Sequence, residues 1–175
     1  MTNISIKEIK GDDFQKYLTG LADVLHQTVI DGASVGFIHP FSVEDSSAFW
    51  RDSVLPPLAS GGRILWGAWF GERVVGTVQL DIEVFPNQHH RGEVAKLLVL
   101  PDFRGRGIAK LLMAELEQRA RDLGKSLLTL DTRTGDTAEP LYRGFGYQTA
   151  GVIPGYCRAP EEDRYDSTTY MYKAL

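Results

Sequence analysis

The chain reads Arg104-Gly105-Arg106-Gly107-Ile108-Ala109 between the apolar run Val94–Leu100 and the helical pattern Ile108–Leu123. The apolar run predicts a strand that ends at Pro101, and the glycine-rich turn leads directly into a helix. Backbone N–H groups of such a turn and the positive end of the helix converge on one small space. The sequence therefore predicts an anion site where the turn meets the helix.

The side chains of this turn suit a diphosphate. Gly105 and Gly107 let an oxygen approach the backbone amides, because they carry no Cβ. Arg104 and Arg106 can add charge-assisted hydrogen bonds to the same anion. The alternative is an ordinary glycine-rich connection between a strand and a helix that binds no ligand.

Two other phosphate motifs do not fit the spacing. A nucleoside-triphosphate P-loop needs Lys-Ser or Lys-Thr after its last glycine, whereas Gly107 is followed by Ile108-Ala109. A dinucleotide fingerprint needs a third small residue three places after Gly107, and that place holds Lys110. The pattern that remains is Arg-x-x-Gly-x-Ala.

Length and composition favour one soluble domain over residues 1–175. The chain is 43% hydrophobic, which suffices for one well-buried core. A net charge of −4 leaves no basic surface for nucleic acid. Cys157 is the only cysteine, and neither a signal peptide nor a membrane-spanning run is present. We therefore expect a cytoplasmic protein with no nucleic-acid or membrane partner.

The rest of the chain predicts an α/β fold of the mixed α+β kind. Strands are expected at Ile4–Ile9, Ile64–Phe70, Val74–Val84, Glu93–Leu100, Leu127–Asp131, Tyr147–Val152 and Thr168–Tyr172. Helices are expected at Phe14–Val29, Ser42–Leu55, Ile108–Leu123 and Ala138–Arg143, the second one ended by Pro56-Pro57. The crossover helix requires the strands on either side of it to be parallel. Trp66 and Trp69 should face opposite sides of their strand, with one in the core and one near an interface.

This order of elements, together with the turn, resembles the GNAT superfamily of N-acetyltransferases. The resemblance implies a twisted mixed sheet of about seven strands with about four helices, in which two parallel strands splay to form a cofactor cleft. It also implies acetyl-CoA as cosubstrate, with its pyrophosphate at the turn and its pantetheine amides on the exposed strand edge. The cofactor-binding residues expected on this basis are Leu97, Leu98, Val99, Arg104, Gly105, Arg106, Gly107, Ile108, Ala109, Lys110 and Tyr142.

Further stretches resemble the members of that superfamily that confer tabtoxin resistance by acetylating the amino group of an amino-acid-derived toxin. They include Gly32–Phe37, the surroundings of Glu93 and Asp131, and Pro154–Cys157. The resemblance implies that Glu93 and Asp131 are general bases, directly or through water, and hold the cationic amine. Both acids could instead be strand-end charges that face solvent or form ion pairs. Phe37 and its glycine-rich segment are expected to line the substrate pocket or, alternatively, to form a buried connector.

Tyr142 is the expected general acid. It follows Asp131 by eleven residues, within Leu141-Tyr142-Arg143-Gly144-Phe145-Gly146-Tyr147, a pattern familiar in the superfamily. A phenol there can protonate the departing thiolate. The alternative is a core aromatic on an amphipathic turn.

The leading hypothesis is therefore an enzyme that transfers acetyl from acetyl-CoA to the primary amine of a small molecule by direct attack in a ternary complex. Its rivals are a non-catalytic acyl-CoA-binding module and an acetyltransferase of protein N-termini or lysines. The four histidines and Cys157 show no metal-ligand spacing, so no metal is expected. GNAT domains often dimerise, which makes a homodimer an expectation as well.

Overall fold

A computed structural model of the chain describes residues 4–82 and 85–175. The strands are β1 (Ile4–Ile9), β2 (Arg63–Phe70), β3 (Arg73–Asp81), β4 (Arg91–Val99), β5 (Leu127–Arg133), β6 (Gln148–Arg158) and β7 (Tyr165–Ala174). The helices are α1 (Phe14–Ile30), α2 (Val43–Phe49), α3 (Leu55–Ser60), α4 (Ile108–Asp122) and α5 (Ala138–Gly144). The predicted third strand ends at Asp81, and its last two predicted residues, 83 and 84, lie outside the described part.

All seven strands belong to one sheet, in the order β1-β2-β3-β4-β5-β7-β6. Strands β4 and β5 are parallel, and every other neighbouring pair is antiparallel. The predicted mixed α/β architecture and its parallel pair around a crossover helix are confirmed. None of the described helices combines the length and the apolar character needed to cross a bilayer.

The predicted second helix is divided in the structure. It starts as expected, because the Ser42 hydroxyl accepts a hydrogen bond from the Asp45 N–H at 3.0 Å in a capping box. The prediction that Pro56-Pro57 end this helix is wrong. A π-helical segment, Trp50–Val54, follows α2, and the prolines lie in the first turn of α3, where no N–H is needed for helical bonding.

The core occupies both faces of the central strands. Residues 74–80 of β3 are all buried, and both α1 and α4 pack on this strand. Trp66 and Trp69 are 4% and 5% exposed, so the prediction that one of them reaches an interface is wrong. A sheet that is covered on both sides buries residues of either orientation.

The two parallel strands separate soon after they begin. Their pairing runs from Arg91 beside Leu127 to Glu93 beside Thr129, and β5 then continues alongside β7 alone. Strand β4 continues to Val99 against β3 on its other side. A wedge therefore opens between β4 and β5 towards their carboxyl ends, as the expected splay requires.

Candidate active site

The wedge opens into a cavity of about 970 Å³ that reaches from the α1–α2 connection to the start of α4. Its walls include both splayed strands, the turn before α4, helix α5 and part of β6. Most of the predicted site residues line it: Glu93, Leu97, Leu98, Val99, Arg104, Gly105, Gly107, Ile108, Ala109, Lys110, Asp131 and Tyr142. The structure therefore brings residues that are far apart in sequence to one surface.

The turn before α4 presents a row of backbone donors. Gly105 and Gly107 have φ angles of 73° and 78°, and a Cβ at either position would project into open space. Within the described residues, the N–H groups of residues 105–110 donate to no protein acceptor, and helical bonding resumes when Leu111 N–H bonds to the Gly107 carbonyl. A row of free amides at a helix N-terminus suits a diphosphate.

The two arginines of the turn are held by protein groups. Arg104 Nη1 lies 2.5 Å from Asp31 Oδ2, and its Nε donates to the Val99 carbonyl at 3.3 Å. Arg106 donates to the Asp102 carbonyl and lies 4.8 Å from the centre of the Phe103 ring, outside the cavity lining. The backbone of this turn, more than its arginines, is therefore oriented towards the cavity.

Strand β4 carries a bulge where it borders the wedge. Ala95 is opposite Gln79 and Leu98 is opposite Thr77, so Lys96 and Leu97 together face one residue of β3. Lys96 has φ = 50°, and its carbonyl accepts a hydrogen bond from the Thr77 hydroxyl at 3.1 Å. A bulge redirects side chains and leaves backbone groups unpaired, here at the cavity.

Glu93 and Asp131 lie on the two strands where these begin to separate. The Glu93 side chain is 51% exposed and lies 3.9 Å from Arg91 Nη1. Its pKa is raised, first by partial burial and then by the negative charge of Asp81, with a further contribution from Asp131. Asp131 Oδ2 accepts a hydrogen bond from the Thr168 hydroxyl at 2.9 Å.

Tyr142 is 8% exposed and lines the cavity from α5. Its ring packs edge-on against Tyr147 at 5.8 Å between centres, and among the described residues its hydroxyl has no hydrogen-bond partner. Burial, and secondly the charge of Asp131, raise the pKa of Tyr142 above its ordinary value. The phenol is therefore protonated at neutral pH.

The glycine-rich segment after α1 divides between two places. Residues 32–36 line the cavity, whereas Phe37 packs against the aromatic rings of Phe41 and Phe49 at 4.6 and 5.2 Å and does not line it. Lys96 stands over this aromatic cluster and does line the cavity. Sequence reasoning missed Lys96, although a lysine inside an apolar strand was a visible signal.

Two other cavity-lining features were also missed. Thr168 on β7 orients the Asp131 carboxylate, and Tyr156 on β6 shares a 2.8 Å hydrogen bond between hydroxyls with Tyr170. Strand pairing brings both residues to the cavity, and of the two only Tyr156 lies in a stretch that the resemblance had indicated, Pro154–Cys157. Among residues 4–82 and 85–175, no three side chains of His, Cys, Asp or Glu are grouped so that they could hold a metal ion.

Comparison with known proteins agrees with this geometry. Residues 26–147 match the profile of the Acetyltransferase (GNAT) family. N-acetyltransferase 8B from Rattus norvegicus is 38% identical over 96 residues, which are 54% of this chain and 43% of that protein. The matched segment thus spans less than half the length of this curated relative.

Solved structures show the same fold across nearly the whole chain. An N-acetyltransferase from Staphylococcus aureus Mu50 superposes with a TM-score of 0.80 at 17% identity, covering 98% of both chains. A putative acetyltransferase from Salmonella typhimurium, solved with its cofactor acetyl-CoA, gives a TM-score of 0.75 at 17% identity over 98% of this chain and 94% of that one. Because the family profile matches most of the length of this chain, the chain belongs to the GNAT family of acetyltransferases.

Proposed function

We propose that the protein is an acetyl-CoA-dependent N-acetyltransferase that acts on the primary amine of a small molecule by direct attack in a ternary complex. The observation that carries the proposal is the splayed cavity itself. It joins a row of free backbone amides, two carboxylates and a protonated phenol on one continuous surface. Each of these groups matches one requirement of acetyl transfer to an amine.

The residues present fit acetyl-CoA. The free N–H groups of residues 105–110 would hold its pyrophosphate, and the β4 edge at Leu97–Val99 would pair with its pantetheine amides. When bound, acetyl-CoA supplies an activated acetyl thioester. An N–H of the same edge is proposed to stabilise negative charge on the thioester oxygen.

The two carboxylates are proposed to prepare the amine. An alkylammonium has no free lone pair, so it must lose a proton before it can attack. Glu93 and Asp131 can bind the ammonium and accept that proton directly or through water. The raised pKa of Glu93 makes this carboxylate a better proton acceptor than a fully solvated one.

Tyr142 is proposed to protonate the leaving thiolate. Its phenol is protonated at neutral pH, the residue lines the cavity, and its hydroxyl has no competing hydrogen-bond partner among the described residues. Cys157 lines the cavity too, but its described neighbour is the Ser34 hydroxyl at 3.6 Å, with no base beside it. The proposal therefore contains no acetyl-cysteine intermediate.

The acceptor class follows from the sequence resemblance. The stretches around Gly32–Phe37, Glu93, Asp131 and Pro154–Cys157 resemble the members that confer tabtoxin resistance, which favours a small acceptor derived from an amino acid. In the structure each of these stretches contributes residues to a single cavity, although Phe37, Pro154 and Gly155 do not line it.

The function is tested by thiol release from acetyl-CoA in the presence of amino acids, polyamines, aminoglycosides and short peptides. We expect turnover on small amines, and most of all on amino acids or their derivatives. Turnover confined to peptides would identify a protein acetyltransferase instead. Tight acetyl-CoA binding without turnover on any amine would identify a non-catalytic binding module.

Replacing Gly107 by Ala should weaken acetyl-CoA binding about tenfold or more. A Cβ would project into open space at the turn that carries the free amides, where we expect it to hold a phosphate away from them. Calorimetric titration with CoA measures the change in Kd. An unchanged Kd would remove this turn from the cofactor site.

The matched control is Gly71→Ala in the β2–β3 turn. Gly71 also has a positive φ, 60°, with open space around a built Cβ, but it lies away from the cavity lining. Both substitutions should cost about 1–2 kcal/mol of folding free energy, because both force alanine into the left-handed region. Only Gly107→Ala should change the affinity for CoA.

A further inference from the structure

The side chain of Lys96 is the most unusual charged group in the cavity. Lys96 is the one residue other than glycine with a positive φ in the described part of the chain, and it lies in the bulge of β4. Backbone strain of this kind persists only where surrounding contacts impose it, here the Thr77 hydroxyl on the Lys96 carbonyl. The strand therefore holds this side chain in the cavity at a cost in stability.

The ammonium of Lys96 lies against aromatic rings and has no anion next to it. Its Nζ is 5.9 Å from the centre of the Phe37 ring and 5.5 Å from that of Phe49. Within the described residues it forms no ion pair shorter than 4.0 Å and no hydrogen bond. Ring faces attract a cation, but they cannot accept its three N–H groups as oxygen does.

The two arginines whose charges act on Glu93 are already paired. Arg63 donates to Asp81 Oδ2 at 3.1 Å and to the Ser53 carbonyl at 3.0 Å. Arg91 donates to Gln88 Oε1 at 2.7 Å and lies beside Glu93. Of these three cations, only Lys96 has neither a hydrogen bond nor an ion pair within the described residues.

Burial and the neighbouring charges agree with a missing counter-ion. The pKa of Lys96 is lowered, first by burial and then by the positive charge of Arg63, while Asp131 and Asp81 act in the opposite direction. An ammonium taken out of water without a partner is costly, and a carboxylate placed beside it would offset that cost.

We propose that Lys96 binds a carboxylate of the acceptor, so that the substrate is an amine that also carries a carboxylate. This inference rests on the proposed acetyl transfer. Glu93 and Asp131 hold the amine end of the acceptor, and Lys96, three residues after Glu93 on β4, holds the acid end. The cavity is thus complementary to a zwitterion.

Matched pairs of acceptors test this directly. Each pair is an amino acid and its carboxamide, so the two members of a pair differ in one charge. Pairs from both α- and ω-amino acids vary the distance between the amine and the carboxylate, so the series measures which spacing the cavity accepts. Wild-type protein should favour the acid in kcat/KM. Lys96→Met should raise KM for the acid about tenfold or more, with little effect on KM for the amide.

An amino acid and its carboxamide also differ in the basicity of the amine. This difference cancels when KM of each variant is compared with KM of wild type for the same acceptor. Lys96→Arg should retain much of the preference, because it keeps the charge. Lys16→Met is the matched control, since Lys16 also stands over an aromatic ring, Tyr17 at 5.1 Å, but on the outer face of α1. Lys16→Met should leave KM unchanged for both the acid and the amide.

Three results would overturn the inference while leaving acetyl transfer intact. The first is turnover on amines with no preference for the acid. The second is an equal loss of kcat on both members of a pair in Lys96→Met, which would make Lys96 a proton acceptor or a structural residue. The third is weaker CoA binding in that variant, which would assign Lys96 to the cofactor.

Absence of turnover on every amine would instead contradict the proposed function, and Lys96 can still be tested without it. The signal of Lys96 in protein carrying ¹³C-labelled lysine is assigned by its loss in Lys96→Met. N-acetyl amino acids should raise the pKa of this ammonium, because a carboxylate favours its charged form, whereas their amides should not. Equal responses to acid and amide, or no response to either, would refute the carboxylate site.

Discussion

Replacing Tyr142 by Phe should lower kcat by about a hundredfold or more and leave the Kd for acetyl-CoA nearly unchanged, since general acid catalysis contributes factors of this size. The substitution removes one oxygen from a buried ring and keeps its packing against Tyr147. No acceptor among the described residues loses a hydrogen bond. The loss should therefore appear in the chemical step and not in folding or binding.

Tyr147→Phe is the matched control for this prediction. Tyr147 is 3% exposed, its hydroxyl is buried without a partner in the described part of the chain, and burial raises its pKa as well. It differs from Tyr142 in lying outside the cavity lining. Its replacement should leave kcat unchanged and stability unchanged or slightly higher. If both variants lose activity equally, Tyr142 acts through packing.

Single-turnover measurements at saturating acetyl-CoA separate chemistry from product release. A wild-type rate in Tyr142→Phe would show that another group or water protonates the thiolate. A reduced rate with unchanged CoA affinity would support the assignment of the phenol.

The centre of the fold could be predicted because its signals are local. The sequence has an apolar run, a glycine-rich turn and an amphipathic helix at Ile108–Asp122 directly after one another. A crossover helix requires the two strands that it connects to be parallel, as β4 and β5 are. The same reasoning predicted strands on either side of Gly71 and a helix that starts at Ser42, where the structure has the β2–β3 hairpin and a capping box. In each case one short segment contains the whole physical argument.

Where pairing between distant segments decides the structure, the sequence was misleading. The predicted strand ends at Val152, yet β6 continues through Pro154 to Arg158, because an edge strand tolerates proline at an irregular, unpaired stretch. The pairing of β6 with β7 shifts register in this region, which no local pattern shows. The burial of both Trp66 and Trp69 likewise depends on helices that are distant in sequence and pack on the sheet.

The candidate site divides in the same way. Glu93, Asp131 and Tyr142 were expected from the resemblance to the GNAT superfamily, and all three line one cavity in the structure. Lys96 was missed, because its orientation depends on a bulge opposite β3 and on aromatic rings from the α1–α2 region. Thr168 was missed because only the pairing of β5 with β7 brings it to Asp131.

Replacing Glu93 by Gln and Asp131 by Asn together should lower kcat by about a hundredfold to ten-thousandfold at saturating acetyl-CoA. The amides keep the size of both side chains but can neither accept the proton of the amine nor balance its charge. Neither acid lies in the turn before α4, so the Kd for CoA should stay close to that of wild type. Steady-state kinetics with the best acceptor and calorimetry with CoA measure the two quantities.

A double variant of equal charge change provides the control. Glu44 and Asp163 have side chains that are 84% and 90% exposed, and neither lines the cavity. Glu44→Gln with Asp163→Asn should therefore leave kcat unchanged. A similar loss in both double variants would show that overall charge, and not the two site carboxylates, governs the rate.

The single variant Asp131→Asn distinguishes the principal base through its pH profile. If Glu93 is that base, its deprotonated form is active, so kcat falls as the pH drops through the Glu93 pKa. The charge of Asp131 helps to raise that pKa, and removing it should move the acidic limb of the profile to lower pH. In Glu93→Gln the same limb should disappear or take the position set by Asp131 alone. A limb that stays in place in Glu93→Gln and disappears in Asp131→Asn would make Asp131 the principal base and leave Glu93 to hold the ammonium.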